Sequence, residues 1–207
     1  LNYVFDKIVN ASNADNTYTG GTTKAVTLGN LTAESPIATL QKLSDKWLLG
    51  LDMPNPTTEG DTANPNAAAT TGSYLAFSGV LSDSLGFNYT DVQQGSMGDC
   101  YFLASLAGIA QMETYAKQSK AISVAGYTTA LEKMFASNSD GSNSAPTWGV
   151  RYYDAKGQAQ WVTVNNQFVV KPGDTLPAYA ALHTGEDGTK ELWVALAEKA
   201  YAQANAL

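Results

Sequence analysis

The chain has 207 residues, 44% of them apolar and only 15% charged, with a net charge of −7. That suffices for one sizeable core, or a core with a smaller appendage. The acidic balance excludes the basic footprint expected of a nucleic-acid binder or of a protein that docks on anionic membrane surfaces. No apolar run reaches the roughly 18 residues that span a bilayer, and no signal peptide is visible. Cys100 is the single cysteine, so no internal disulfide forms and nothing demands an oxidising compartment. A surface held in solution mainly by Asn, Thr, Ser and Gly points towards an exported bacterial protein. The start at Leu1, not Met, reads as a processed or trimmed piece.

From the N-terminus, Tyr3, Val4, Phe5, Ile8 and Val9 predict one or two helical turns, and Gly20-Gly21 marks a break. Ser35-Pro36 opens a predicted helix, with Ser35 as its cap and Pro36 as its first residue. Ile37, Leu40, Leu43, Trp47 and Leu48 recur at helical spacing and give it a face to bury. It ends near Gly50, because Pro54 and Pro56 forbid continuation. Residues 55–75 contain a low-complexity run from Asn55 to Gly72 without large apolar side chains, a linker or mobile loop. The expected organisation is therefore an N-terminal extension (1–54), the linker (55–75) and a main domain (76–207). The extension is either a pro-segment or accessory helix lying near a cleft, or a helix that enlarges the core.

The stretch from Asp91 to Ser105 carries the chemistry. Gly95 and Gly98 mark a loop that turns tightly or approaches something closely. Tyr101 to Gln111 is an apolar run of good helix formers, predicting a buried helix of about three turns. Cys100 thus stands where a polar loop becomes a helix, with Asp99 as the natural N-cap. Free N–H groups and the dipole at a helix start favour a thiolate, which is the nucleophilic form. Gln94, six residues upstream, offers an amide donor for an oxyanion forming beside the sulfur.

Further along, Thr128–Phe135 reads as a short helix and Ser137–Ser144 as a polar turn region. Thr147–Tyr153 and Gln158–Asn165 alternate as two strands, joined by the turn Asp154-Ala-Lys-Gly into an antiparallel hairpin. The only histidine, His183, lies in a loop. Glu191 to Asn205 then predicts an amphipathic helix with Leu192, Trp193, Leu196, Ala200 and Tyr201 on one face.

Gln94-Gly-Ser-Met-Gly-Asp-Cys-Tyr-Phe-Leu-Ala resembles the active-site signature of the calpain family of cysteine proteases. Met97 stands for the family's Leu, and Tyr101 for its Trp. Two later segments resemble calpains in the same order: Trp161-Val-Thr-Val, and Glu191-Leu-Trp-Val-Ala-Leu-Ala-Glu-Lys-Ala-Tyr-Ala-Gln. Asn165, Asn166 and Gln167 replace a charged turn of the family, so any ion pairing made there is lost. The resemblance implies an α+β, papain-like fold. This chain would be its nucleophile-bearing helical lobe, the first subdomain of the calpain protease core, with a small β-hairpin and an N-terminal helical extension.

The implied function is a cysteine endopeptidase that cleaves protein or peptide substrates through an acyl-enzyme. Cys100 is the nucleophile and Gln94 the oxyanion donor. The resemblance also implies a Ca²⁺ site made by Asp91, Glu191 and the backbone carbonyl of Gly86; by themselves, Asp91 reads as a turn residue and Glu191 as a first-turn helix residue. In calpains the catalytic His and Asn lie in a second subdomain beyond the final helix. His183 instead matches a loop position where calpains carry a non-catalytic His. The implied partner is a C-terminal half bearing His and Asn, in the same precursor or a second chain, and this chain alone is not expected to hydrolyse peptides. The alternative is an inactive interaction or regulatory module that keeps the fold without the reaction.

Overall fold

A computed structural model describes residues 2–10, 15–22, 24–58, 69–118, 129–137 and 146–205. Its elements in order are α1 (Asn2–Val9), β1 (Thr17–Tyr18), β2 (Val26–Thr27), α2 (Ile37–Ser44), β3 (Thr57–Thr58), β4 (Thr70–Thr71) and β5 (Ser73–Ala76). There follow α3 (Cys100–Gln118), α4 (Ala130–Met134), β6 (Phe135–Ser137), β7 (Thr147–Tyr153), β8 (Ala159–Asn165), β9 (Gln167–Val170) and α5 (Trp193–Asn205). The content is α+β. The chain divides into two compact units, one of Leu1–Pro56, Ser137–Asn165 and Ala200–Leu207, the other of Thr57–Ala136 and Asn166–Lys199. The first 56 residues therefore share a unit with the β7–β8 hairpin and do not stand alone. Among the described residues no helix is long and apolar enough to cross a membrane.

In the first unit, β7 and β8 pair antiparallel from Thr147↔Asn165 to Tyr153↔Ala159. Asp154 makes the turn, its carboxylate accepting from the N–H groups of Lys156 and Gln158. The expected hairpin is present. Val150 and Val164 are its fully buried residues. Against this hairpin, α2 runs into a π-helical turn, Asp45–Leu49, that ends at the left-handed Gly50. A Cβ there would stand 2.6 Å from the carbonyl carbon of Val164, so the turn stops where its backbone meets the strand.

Two expectations for this helix need correction. Ser35 is not its side-chain cap: the helix starts at Ile37 after Pro36, and the Ser35 hydroxyl accepts from Thr32 N–H. Of the predicted apolar face only Leu43 and Trp47 are buried, while Ile37, Leu40 and Leu48 are exposed. Trp47 is the anchor. Its indole N–H donates to Asn16 Oδ1 at 3.0 Å, and its carbonyl accepts from the Thr163 hydroxyl at 3.0 Å. Beside it, Asp52 is completely buried; its Oδ1 accepts from Thr19 N–H, Thr19 Oγ1 and Gly20 N–H, and its Oδ2 from Lys46 Nζ at 3.1 Å. Burial lowers the pKa of the Lys46 ammonium even with Asp52 beside it.

In the second unit, β5 and β9 pair antiparallel from Ser73↔Val170 to Ala76↔Gln167. Neither strand is legible in the sequence, because each is short and its partner lies far along the chain. The low-complexity run is closed at its base by β3 pairing with β4; residues 59–68 lie outside those described. α4 starts on a capping box in which Thr129 and Glu132 each take the other's backbone N–H. It is shorter than the expected Thr128–Phe135, since Phe135 already belongs to β6. Most of the expected Ser137–Ser144 turn lies outside the described residues.

α3 runs for 19 residues, longer than three turns, and is not buried all round. Phe102, Leu103, Leu106 and Ala110 face the core, whereas Tyr101, Ile109, Met112 and Tyr115 are exposed. The reverse holds for α5. Every residue from Glu191 to Ala200 is buried, including Glu198 and Lys199, so the amphipathic reading fails for its first two turns. Lys199 Nζ donates to the Gln167 carbonyl at 2.7 Å and lies over the rings of Tyr74 and Phe168; burial lowers its pKa to about 7. Trp193, fully buried, meets Phe87 edge-on at 5.3 Å, and Phe87 stacks on Phe135.

Candidate active site

The loop before α3 is held by the segment Ala178–Ala181. Ser96 N–H donates to the Ala178 carbonyl at 2.8 Å, and Ala181 N–H to the Gln93 carbonyl at 2.9 Å. Between these bonds a Cβ on Gly95 would collide with the Tyr179 carbonyl, so glycine is required for the close approach. The Asp99 carbonyl accepts the N–H groups of Phe102 and Leu103, which begins the helix. Cys100 is its first residue and is exposed. The sulfur in this position is open to solvent.

The side chain of Gln94 is exposed, and its Nε2 donates to the Met97 carbonyl at 3.0 Å, within its own loop. One of its two N–H bonds is thus committed locally. The Asp99 carboxyl faces a residue that sequence reasoning missed. Glu198 of α5 is close enough to feel the Asp99 charge, and it accepts the N–H of Ala180. Burial, then the Asp99 charge, raises the pKa of Glu198 to about 8. In the sequence Glu198 looks like an ordinary surface residue of a helix; no local signal marks it.

A second cluster lies in the same unit. Asp91 sits in the 3-10 turn Tyr89–Asp91, where it and Asn88 form a capping box. Asp91 Oδ2 accepts from Asn88 N–H at 2.8 Å and from the Trp193 indole at 2.9 Å. Glu191 Oε1 accepts from Asp83 N–H at 2.7 Å. Each carboxylate thus has one oxygen fixed by N–H donors. The remaining oxygens, Asp91 Oδ1 and Glu191 Oε2, lie 3.4 and 2.7 Å from His183 Nδ1. His183 is brought there by its own short loop: Glu191 N–H donates to the His183 carbonyl, and Thr184 bridges Lys190. It is therefore not a free surface histidine, because two nearly fully buried carboxylates hold it. One ligand atom from each of the three residues lies within 4.8 Å of the others, a grouping able to hold a metal ion.

A cleft of about 330 Å³ opens over this cluster, lined by Asp83, Leu85, Asn88, Thr90 and Glu186 with Asp91 and His183. Burial raises the pKa of Glu191, and the charges of Asp91 and Asp83 add to the rise, so a cation there would relieve mutual repulsion. Gly86 closes the turn from Asp83 in a left-handed conformation, between Leu85 and Asn88 of the cleft.

The site thus presents an exposed thiol at the first residue of a 19-residue helix, after a glycine-bearing loop bonded to Ala178 and Ala181. The sequence model of the calpain family cysteine protease matches residues 79–207, more than half of the chain. The protein belongs to the calpain family, which at family level is one of cysteine peptidases and is typically calcium-regulated. Searches among curated proteins and among solved structures gave no match.

Proposed function

We propose that this chain is the nucleophile-bearing lobe of a calpain-like cysteine endopeptidase. The exposed placement of Cys100 at the start of α3 carries this reading. Cys100 attacks the substrate carbonyl; its own backbone N–H, with the second N–H of the Gln94 amide, receives the oxyanion. The proton goes to an imidazole of a second lobe, oriented there by an Asn. The only histidine of this chain, His183, is committed to Asp91 and Glu191. The exposed apolar side of α3, with Tyr101, Ile109, Met112 and Tyr115, suits the docking of that lobe. A helix apolar on both sides otherwise belongs in a protein interior.

The test is covalent capture. Mixed with the His- and Asn-bearing lobe, the chain is expected to react with a peptidyl epoxide at Cys100 at least about a hundredfold faster than free cysteine does. Intact mass of the adduct and its absence in Cys100→Ser report the outcome. Capture no faster than free cysteine would favour the alternative, an inactive module that keeps only the fold.

For calcium, the donor set fits a hard cation: Asp91 Oδ1 and Glu191 Oε2 converge, and the Gly86 carbonyl that the family resemblance implies, with water, would add further oxygens. The bound ion would take the place of the His183 imidazole between the two carboxylates and tie the loop before α3 to the start of α5. Calcium at about a hundred times its dissociation constant is expected to stabilise the chain by roughly 2.7 kcal/mol. Thermal unfolding with and without the ion checks this. Asp91→Asn should abolish the shift; an equal shift in both proteins would remove the site from the account.

A further inference from the structure

Glu198 lies only 2% exposed on α5. Glu198 Oε1 and Asp99 Oδ1 are both buried, and among the described residues no donor reaches either atom. The Asp99 charge acts directly on Glu198, and one proton shared between the two carboxyl groups would satisfy both oxygens. Glu198 Oε2 meanwhile accepts the N–H of Ala180, in the segment that receives Ser96 N–H and donates to Gln93. The titratable groups facing Glu198 are Asp99, from the loop before α3, and Tyr179, which bonds Tyr74 of β5. The neighbouring Lys199 directs its Nζ to the Gln167 carbonyl.

We propose that Glu198 is the positioning residue of the Cys100 loop, a single carboxyl group that ties the first turn of α3, through Asp99, to the Ala178–Ala181 segment. This rests on the reading of Cys100 as nucleophile. The tie lasts while the pair retains its proton. Two adjacent buried carboxylates repel once both are ionised, and then Asp99 and the helix start lose their anchor. In the unfolded chain this carboxyl ionises near 4.5, whereas in the folded chain it holds its proton to about 8. Its contribution to stability is therefore complete below 4.5, declines between 4.5 and 8, and is gone above that. The local tie opens as the pH passes about 8.

Hydrogen exchange of the 207-residue chain tests this, with rates corrected for the intrinsic effect of pH and the β7–β8 hairpin as internal reference. Between about pH 7 and 9, protection of the Ser96, Phe102, Leu103 and Ala180 amides is expected to fall about tenfold in the wild type. Glu198→Gln keeps an acceptor for Ala180 and gains a permanent donor to Asp99, so its protection should stay within about threefold. Asp99→Asn should be equally flat, and serves if Glu198→Gln does not fold. No fall in the wild type, or the same fall in both variants, would overturn the proposal. Cys100→Ser should show the wild-type profile. Failure of epoxide capture would remove the nucleophile reading without altering these exchange results.

Discussion

Trp193→Ala is expected to destabilise the protein by about 3–5 kcal/mol, a large share of the roughly 5–15 kcal/mol typical of a folded domain. Trp193 is completely buried at the start of α5 and packs edge-on against Phe87. Its removal leaves a cavity and also takes one donor from Asp91 Oδ2. Trp193→Phe separates the two effects: the ring remains, the indole N–H is lost, and the cost should fall to about 1–3 kcal/mol. Urea unfolding followed by circular dichroism measures both. An alanine variant within about 1 kcal/mol of wild type would contradict the packing described for this core.

The second large effect belongs to Asp52. Asp52→Ala removes the acceptor of two backbone N–H groups, one hydroxyl and the Lys46 ammonium. Lys46 is 5% exposed and would be left as an uncompensated buried charge. Such losses typically cost about 3–5 kcal/mol. Pairing the substitution with Lys46→Met should recover part of that loss, since the stranded cation disappears, but not the part owed to Thr19 and Gly20. A double-mutant cycle in urea reads the difference. Full additivity of the two substitutions would mean that the pair is not coupled.

Calcium and Trp193 meet in one residue. Asp91 is oriented by the indole and by Asn88, so its Oδ1, which also accepts from the Thr90 hydroxyl, lies towards His183. The calcium proposal thus depends on the packing at the start of α5 as much as on the carboxylates.

Much of the local structure around the candidate site was legible because its signals are local. The glycine-bearing loop, Asp99, Cys100 and the apolar run after them are consecutive, so a short stretch of chain carries the turn, the helix start and the thiol. The β7–β8 hairpin was legible for the same reason, since Asp154 and Gly157 sit between two alternating strands. Ser35 misled because a favourable cap residue need not cap when its hydroxyl serves Thr32 instead. The strands β5 and β9 escaped notice because a four-residue strand acquires its identity from a partner about ninety residues away.

By itself the amino-acid order determined where a thiol meets a helix start, which family the chain resembles and which carboxylates to watch. Only the tertiary structure decided which side of α3 is exposed, that Glu198 and Lys199 are buried, and that His183 stands between Asp91 and Glu191. The physical reason is that periodicity reports one element's own faces, whereas burial and charge pairing depend on what is packed against those faces. Helices α3 and α5 are both rich in apolar residues, and nothing in their spacing says which of them has neighbours on every side.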